Sequence, residues 1–355
     1  MPQSLTVADL ADLVGATIQG DPSRLIKGCS TLTAATPDEL SFLSNPKYSG
    51  QLASTNAGCV ILAPDVAARL QRPASLPPLT ILIAKDPYFA YQQISVKLHG
   101  YRSHPTIEGG GISPLASIHP SATIGKNANI HPFAVIAEGV TIGDNANIYS
   151  HVSIMANSRI GHDCILYPHV TLYDSCTLGN RNIIHAAAVI GSDGYGYATA
   201  NGIHNKIPQI GNVVTEDDVE IGAGTVIERA ALQTTRIGKG TKIGNLVIVG
   251  HNSTIGQHNL LVSQVGIAGS SSTGKYVAMG GQVGLAGHLH VGDMVRIAAQ
   301  SGVISDLEPN TEYGGSPAME AKHARRVYMQ FFNLPDLAKR VKELEAEVKK
   351  LSKPE

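Results

Sequence analysis

From Ile112 to Ile190 an aliphatic side chain falls at every sixth position: Ile112, Ile118, Ile124, Ile130, Ile136, Ile142, Ile148, Ile154, Ile160, Leu166, Leu172, Leu178, Ile184 and Ile190. Two places before each stands a mostly small residue, among them Ala116, Ala122, Ala128, Ala134, Ser158, Cys164 and Cys176. This period is neither the 3.6 of a helix nor the alternation of an ordinary strand. A short fixed period marks stacked repeats, and six residues make one short strand plus one corner of a parallel β-helix. The aliphatic residue points inward, and the small one lets the chain turn over a tight interior. Three hexads close a triangular coil. Gly125, Gly143, Gly161 and Gly179 recur every eighteen residues and mark a corner where backbone must bend or approach closely. Coils then stack ~4.8 Å apart, each held by its neighbours, and each buried aliphatic contributes roughly 1.5–3 kcal/mol.

The rest of the chain is arranged around this prism. Residues 1–103 lack the hexad. Leu5, Leu10 and Leu13 predict an opening helix, Ala57–Leu62 and Leu79–Ala84 predict short buried strands, and Ala90–Leu98 predicts a second helix. This is a small α/β domain, followed by a linker from His104 to Gly111. The prism domain is expected over 104–308, interrupted at 191–211 by a segment rich in glycine and aromatics. Insertions in solenoids project from one face and often build the site. The hexad returns at Ile221 and Ile227, slips by four residues around Leu232 to Thr235, and runs from Ile237 to Val303 with Thr273 as its single polar inward position. Residues 309–355 form a C-terminal extension. Here one helix is predicted from Pro317 to Phe332 and a second after Pro335, with Leu337, Val341, Leu344, Val348 and Leu351 at coiled-coil spacing.

Composition narrows the function. The formal net charge is −1 and tryptophan is absent, which argues against a nucleic-acid footprint and suits a thin prism. No apolar run reaches membrane-spanning length and no signal peptide opens the chain, so a cytoplasmic location and no integral membrane segment are expected. The four cysteines are scattered and two occupy small inner sites, so no disulfide framework is expected. Fourteen histidines include no set with three converging ligands, so no metal and no cofactor are expected.

Two stretches carry candidate chemistry. Leu40–Tyr48 (LSFLSNPKY) combines Phe42, Asn45, Lys47 and Tyr48. Two aromatics with polar neighbours suit a nucleobase, and core packing plus a turn at Asn45-Pro46 reads the same residues. His251 follows the inward Val249 by two residues and therefore stands outside, near a corner. Gly269 lies one coil further at the same corner. A base below a small-residue backbone suits acyl transfer: the imidazole takes a proton from an attacking amine and a backbone N–H holds the oxyanion. His288 is two coils plus one residue beyond, ~10 Å along the same side. On position alone a solvated surface histidine remains the simpler reading.

The hexad prism, LSFLSNPKY, GSDGYGYA, KIPQIG, the GHN at His251 and the AGH at His288 together resemble the UDP-3-O-(3-hydroxyacyl)glucosamine N-acyltransferases of lipid A biosynthesis. The resemblance covers nearly the whole chain and implies a left-handed parallel β-helix and a homotrimer with sites between prisms. It implies an acyl carrier protein as 3-hydroxyacyl donor and the 2-amine of UDP-3-O-acyl-glucosamine as acceptor. On this resemblance His251 is the general base, His288 a second active-site histidine and Gly269 the oxyanion donor. Phe42 and Tyr48 sandwich uracil with Asn45 and Lys47 near the nucleotide, and Asp193, Tyr195 and Gln209 complete the substrate-binding set. The chain departs from the pattern at Gly244, where the family commonly has Asp, and at Ile227–Ala231, which reads IERAA for IDRGA. Glu228 is the expected substitute for the carboxylate that orients His251; a solvated or Arg-paired Glu is the bland reading. Small Ser301 and Gly302 are expected to floor an acyl groove. The competing readings are an acetyl-CoA-dependent nucleotide-sugar acetyltransferase, a metal-dependent hydratase and a non-catalytic hexapeptide scaffold. Arg325, Arg326, Lys339, Arg340, Lys342, Lys349 and Lys350 suit an acidic carrier protein, although alternating charge also reads as a solvated helix face.

Overall fold

The computed structural model describes residues 4–71, 78–107, 111–316 and 320–351. The chain divides between His104 and Pro105 into two compact units.

In the N-terminal unit a five-stranded sheet runs Thr17–Gln19, Thr80–Ile83, Cys59–Leu62, Glu39–Phe42, Gly28–Cys29, parallel except for the antiparallel first pair. Both expected strands are present because their side chains are wanted on both faces. Cys59, Ile61 and Leu82 pack under the helices Val7–Val14 and Pro87–His99, whereas Val60, Leu62 and Ile81 pack against Leu32, Leu43 and Leu52 on the other side. A sheet buried on both faces needs near-continuous apolar runs. Thr6 and Asp9 form a reciprocal capping box that starts the first helix, so Leu5 falls in a short strand before it.

The second unit is the prism. Parallel strands, most of two residues, stack among the described residues into three sheets of ten, ten and nine strands. The first runs from Asn129–Ile130 to Glu312–Tyr313, the second from Ser117–Ile118 to Gly302–Val303, and the third from Thr123–Ile124 to His290–Val291. Register is eighteen residues in regular coils, as in Ile136↔Ile154 and Ile267↔Leu285. The inward aliphatics from Ile130 to Val303 form one buried column. Thr273 sits in it without an orphan, its hydroxyl accepting from the Gly256 N–H at 2.9 Å and the Asn259 amide at 2.5 Å.

The corners follow two rules. One residue per corner is left-handed even when it is not glycine, as at Asn127, Phe133, Asn145, His151 and Asn157. The glycines at 125, 143, 161 and 179 have another cause. A Cβ on each would lie 2.5–2.6 Å from the backbone carbonyl carbon of the next coil, so close approach excludes a side chain.

The C-terminal extension differs from expectation. One helix spans Ala321–Leu351 and passes through Pro335; Pro317, the expected start of the first of two helices, lies outside the described residues. Proline removes one hydrogen bond and crowds the preceding turn, but here it does not end the helix, and no side chain of the helix is buried within its own chain. Among the described residues no helix is long and apolar enough to cross a membrane.

Candidate active site

In the N-terminal unit a cavity of about 420 Å³ is lined by Phe42, Asn45, Tyr48 and Tyr88, among others. Phe42 ends a sheet strand, so its ring is held firmly. One neighbour is Tyr91, stacked at 4.2 Å, and another is Tyr88, tilted at 5.6 Å. Asn45 caps the single 3-10 turn Pro46–Tyr48 by accepting the Lys47 N–H at 3.0 Å, which leaves its amide nitrogen as the group to address a ligand. Tyr48 and Tyr88 are exposed on the cavity wall. Lys47 does not line this cavity. Tyr88 escaped the sequence reading, although it stands directly after the helix-starting Asp86-Pro87 pair.

In the prism unit everything unusual meets at the corner between the second and third sheets. The insertion leaves the second sheet after Val189–Ser192 and rejoins the third at Asn212–Thr215. The four-residue slip lengthens the same corner one coil later, between Val226–Glu228 and Thr234–Ile237. His251 occupies it one coil further, followed by Gly269 and Gly287, since Ile248, Gly266 and Gly284 are in register. The insertion itself is a hairpin, Tyr197–Ala200 against Ile203–Lys206, closed by left-handed Asn201 and Gly202.

The half-buried His251 ring is tightly confined. A Cβ on Gly269 would lie 2.5 Å from Nε2, and one on Gly194 would lie 2.5 Å from the His251 Cβ. Both positions are therefore glycine so that the ring fits between the insertion and the next coil. Nδ1 is 3.0 Å from the Asn252 Oδ1. Glu228 does reach His251, but through the main chain: its Oε2 accepts the His251 backbone N–H at 3.0 Å. The expected carboxylate on the ring is replaced by an amide, because the Glu228 carboxylate is spent on this backbone donor.

The N–H of Gly269 meets no acceptor among the described residues. At the corner between the third and first sheets such donors are capped from the next coil: Lys126 by Asp144 at 2.7 Å, Asp144 by His162 at 3.0 Å and His162 by Asn180 at 2.8 Å. Above Gly269 the next coil offers Gly287, which has no side chain, so the donor stays bare on the residue that Nε2 lies against. His288 is exposed and its N–H donates to the Gly269 carbonyl at 3.1 Å, which fixes the peptide on the far side of that glycine.

The insertion residues divide. Gln209 is buried, and its Nε2 donates to the Ile207 carbonyl at 3.1 Å. Its Oε1 would lie 2.9 Å from a Cβ on Gly194, the same glycine that bounds His251, and it has no partner among the described residues. Asp193 is paired with Lys206 at 2.5 Å, and that carboxylate lifts the Lys206 ammonium above the usual lysine range. Tyr195 is exposed and meets Tyr197 edge-on at 5.2 Å. Buried Arg229 ties down the base of the insertion, with Nε 2.7 Å from the Gly191 carbonyl and a second nitrogen 3.0 Å from Asp174. Beside the corner, the outward positions Gly266, Gly284 and Gly302 stack in register on the second sheet, and a Cβ on any of them would meet nothing within 4 Å. They leave a smooth strip about 10 Å long.

A hexad prism with an outward imidazole beside an unpaired amide donor defines a class, the hexapeptide-repeat acyltransferases. Residues 112–156 match the bacterial transferase hexapeptide repeat, and residues 23–96 match UDP-3-O-(3-hydroxymyristoyl) glucosamine N-acyltransferase. The UDP-3-O-acylglucosamine N-acyltransferase of Oleidesulfovibrio alaskensis is 54% identical over 98% of both chains, and that of Syntrophotalea carbinolica 49% over 98% of both. The chain belongs to the UDP-3-O-acylglucosamine N-acyltransferase family, and it is an N-acyltransferase of lipid A biosynthesis. Among solved structures, Arabidopsis UDP-N-acetylglucosamine acyltransferase shares the fold, with a TM-score of 0.52 and 21% identity over 61% of this chain and 76% of that one.

Proposed function

We propose that the protein moves a 3-hydroxyacyl chain from acyl carrier protein to the 2-amine of UDP-3-O-acyl-glucosamine, with His251 as general base. The observation that carries this reading is that His251 Nε2 lies against Gly269, whose N–H is unengaged. The amine nitrogen attacks the thioester carbonyl carbon while Nε2 takes one amine proton. The developing oxyanion receives the Gly269 N–H, a kind of contact whose removal typically costs about 10²–10³ in rate. Collapse breaks the C–S bond, and the imidazolium returns its proton to the departing carrier thiolate. No covalent enzyme intermediate is needed, because a neutral amine is already a competent nucleophile toward a thioester and positioning supplies much of the remainder.

In the same reading Phe42, Tyr48 and Asn45 receive the uridine, with Tyr88 as a further cavity wall and Lys47 as a flanking cation. Asp193, Tyr195 and Gln209 form the insertion side of the acceptor site. His288 steers the donor arm, and the glycine strip from Gly266 to Gly302 carries the acyl chain. We assign the reaction to the cytoplasm on the strength of four unpaired cysteines. A homotrimer accounts for a helix of 31 residues that buries nothing of its own yet exposes Leu337, Val341, Leu344 and Val348 in one stripe. The basic side chains of that helix face an acidic carrier.

The deciding experiment is an N-acylation assay with 3-hydroxyacyl carrier protein and UDP-3-O-acyl-glucosamine, run with wild type and His251→Ala. Loss of turnover by about 10²-fold or more in the variant is expected. Equal turnover by the two proteins overturns the assignment of the base, and a preference for acetyl-CoA overturns the assignment of the donor.

A further inference from the structure

We infer that Asn252 is the positioning residue for His251: held by the lengthened corner at Ala231-Leu232, it keeps the imidazole proton on Nδ1 and so leaves the Nε2 lone pair toward Gly269. This rests on the reading of His251 as the base.

The argument is one of donors and acceptors. An amide side chain has one accepting and one donating end, so its contacts decide which end faces the ring. The Asn252 Oδ1 accepts the Ala231 N–H at 2.9 Å, and its Nδ2 donates to the Leu232 carbonyl at 2.8 Å. Reversing the amide would set donor against donor and acceptor against acceptor at both places. The oxygen therefore faces His251, and its separation of 3.0 Å from Nδ1 is a hydrogen bond only if Nδ1 carries the proton. In a neutral ring Nε2 is then the acceptor. The backbone of Asn252 is fixed too, its N–H donating to the Thr235 hydroxyl at 2.9 Å.

The four-residue slip thereby acquires a purpose. A regular corner offers a side chain of the next coil a single N–H, as Lys126 offers Asp144. The lengthened one presents the Ala231 N–H and the Leu232 carbonyl, neighbouring main-chain groups that match the two ends of one amide. An amide also orients the ring without adding charge, whereas a carboxylate would favour imidazolium already in the resting state. Among the described residues Glu228 is the one carboxylate bonded to His251, and it acts on the backbone N–H and not on the ring.

The test uses full-length protein labelled with nitrogen-15 in its histidine rings, the His251 signals being identified by their loss in His251→Gln. Above the ring's titration, wild type is expected to show Nδ1 protonated and Nε2 bare; Nε2 protonated overturns the inference, whatever the activity data say. Turnover of Asn252→Ala supplies the second arm. Its kcat is expected to fall about 10²-fold, the lower end of what a positioned base contributes, with both KM values within about twofold and the proton shared between the two nitrogens. Asn252→Asp, which keeps an acceptor at Oδ1 but sets an oxygen against the Leu232 carbonyl and favours imidazolium, is expected to recover only part of the loss. Wild-type kcat in Asn252→Ala, or a rise in KM alone, refutes the positioning role. Should Asn252→Ala fail to fold, the wild-type spectrum decides by itself. Full activity in His251→Gln would remove the base from the mechanism yet leave the tautomer assignment to stand or fall on the spectrum.

Discussion

Replacing Gly269 by alanine is the sharpest perturbation of the prism corner. The added methyl would lie 2.5 Å from His251 Nε2 and 2.8 Å from both Cδ2 and Cε1. Gly269 is not among the residues with positive φ, so alanine meets no backbone strain there and the cost is contact alone. The ring has little room to retreat: Asn252 holds Nδ1, and Gly194 lies too close to the His251 Cβ even to carry a methyl. Either the imidazole rotates off its hydrogen bond or the Gly269 peptide moves, and either movement separates the base from the amide donor. Overpacking of this kind costs about 1–3 kcal/mol of stability, whereas disturbing an oxyanion donor costs about 10²–10³ in kcat. The rate loss should therefore exceed anything attributable to unfolding. The assay is kcat and KM for both substrates at matched folded fraction, checked by thermal melts. Gly281→Ala is the control, because its methyl would meet nothing nearer than the Ser263 carbonyl at 3.4 Å; it should stay within about 0.5 kcal/mol of wild type. Gly269→Ala with wild-type kcat would refute the pairing of His251 with that amide.

Four further outcomes are expected. Gly302→Met fills open space at the far end of the glycine strip and should shift preference toward shorter acyl chains in a donor-length profile; an unchanged profile removes the strip from the acyl site. Glu228→Gln keeps an acceptor for the His251 N–H, so kcat should stay within about threefold, the worth of one neutral hydrogen bond, while a fall beyond about 10²-fold would return the carboxylate to a role on the ring. Phe42→Ala removes a wall of the N-terminal cavity and should raise KM for the UDP substrate with kcat little changed; a loss in kcat alone would contradict nucleotide binding there. Burial pushes the Cys29 and Cys164 thiols up to about 11 and the Cys59 thiol up to about 12, and raises Cys176 as well. These folded values exceed the unfolded ~8.5, so the stabilisation is complete below about pH 8.5 and is lost as the pH climbs through the folded values. Urea midpoints should fall between pH 8 and 10, and flat midpoints would refute it.

The prism was legible because one inward residue in six fixes strand, corner and coil together. Even the shared corner follows from counting: Ile190, Ile227 and Val249 precede the insertion, the slip and His251 in turn, and all lie on the second sheet. Gly266, Gly284 and Gly302 stand eighteen apart and were equally open to counting. What the pattern could not supply is the reason behind a glycine. At Gly125 the next coil's backbone excludes a side chain, at Gly269 an imidazole does, and at Gly302 nothing does. The three look alike in a string of letters. The C-terminal extension failed for a different reason, since Pro335 weakens a helix without ending it and the decision lies in what the exposed stripe packs against.

Glu228 and Asn252 show where spacing stops being informative. Counting coils correctly brings Glu228 to His251, but a carboxylate of that reach can take the ring or the main chain, and the difference is an ångström-scale matter of where the lengthened corner puts each peptide. That same corner takes Asn252 instead and clamps it at both ends. A carboxylate missing at Gly244 therefore need not mean a missing orienter. A histidine base requires one ring nitrogen held as a donor and the other left bare, and an amide with a fixed direction meets that requirement as well as an acid does. The irregularity in the repeat, which as a sequence feature looked like a lapse in the hexad, is the element that supplies the fixed direction.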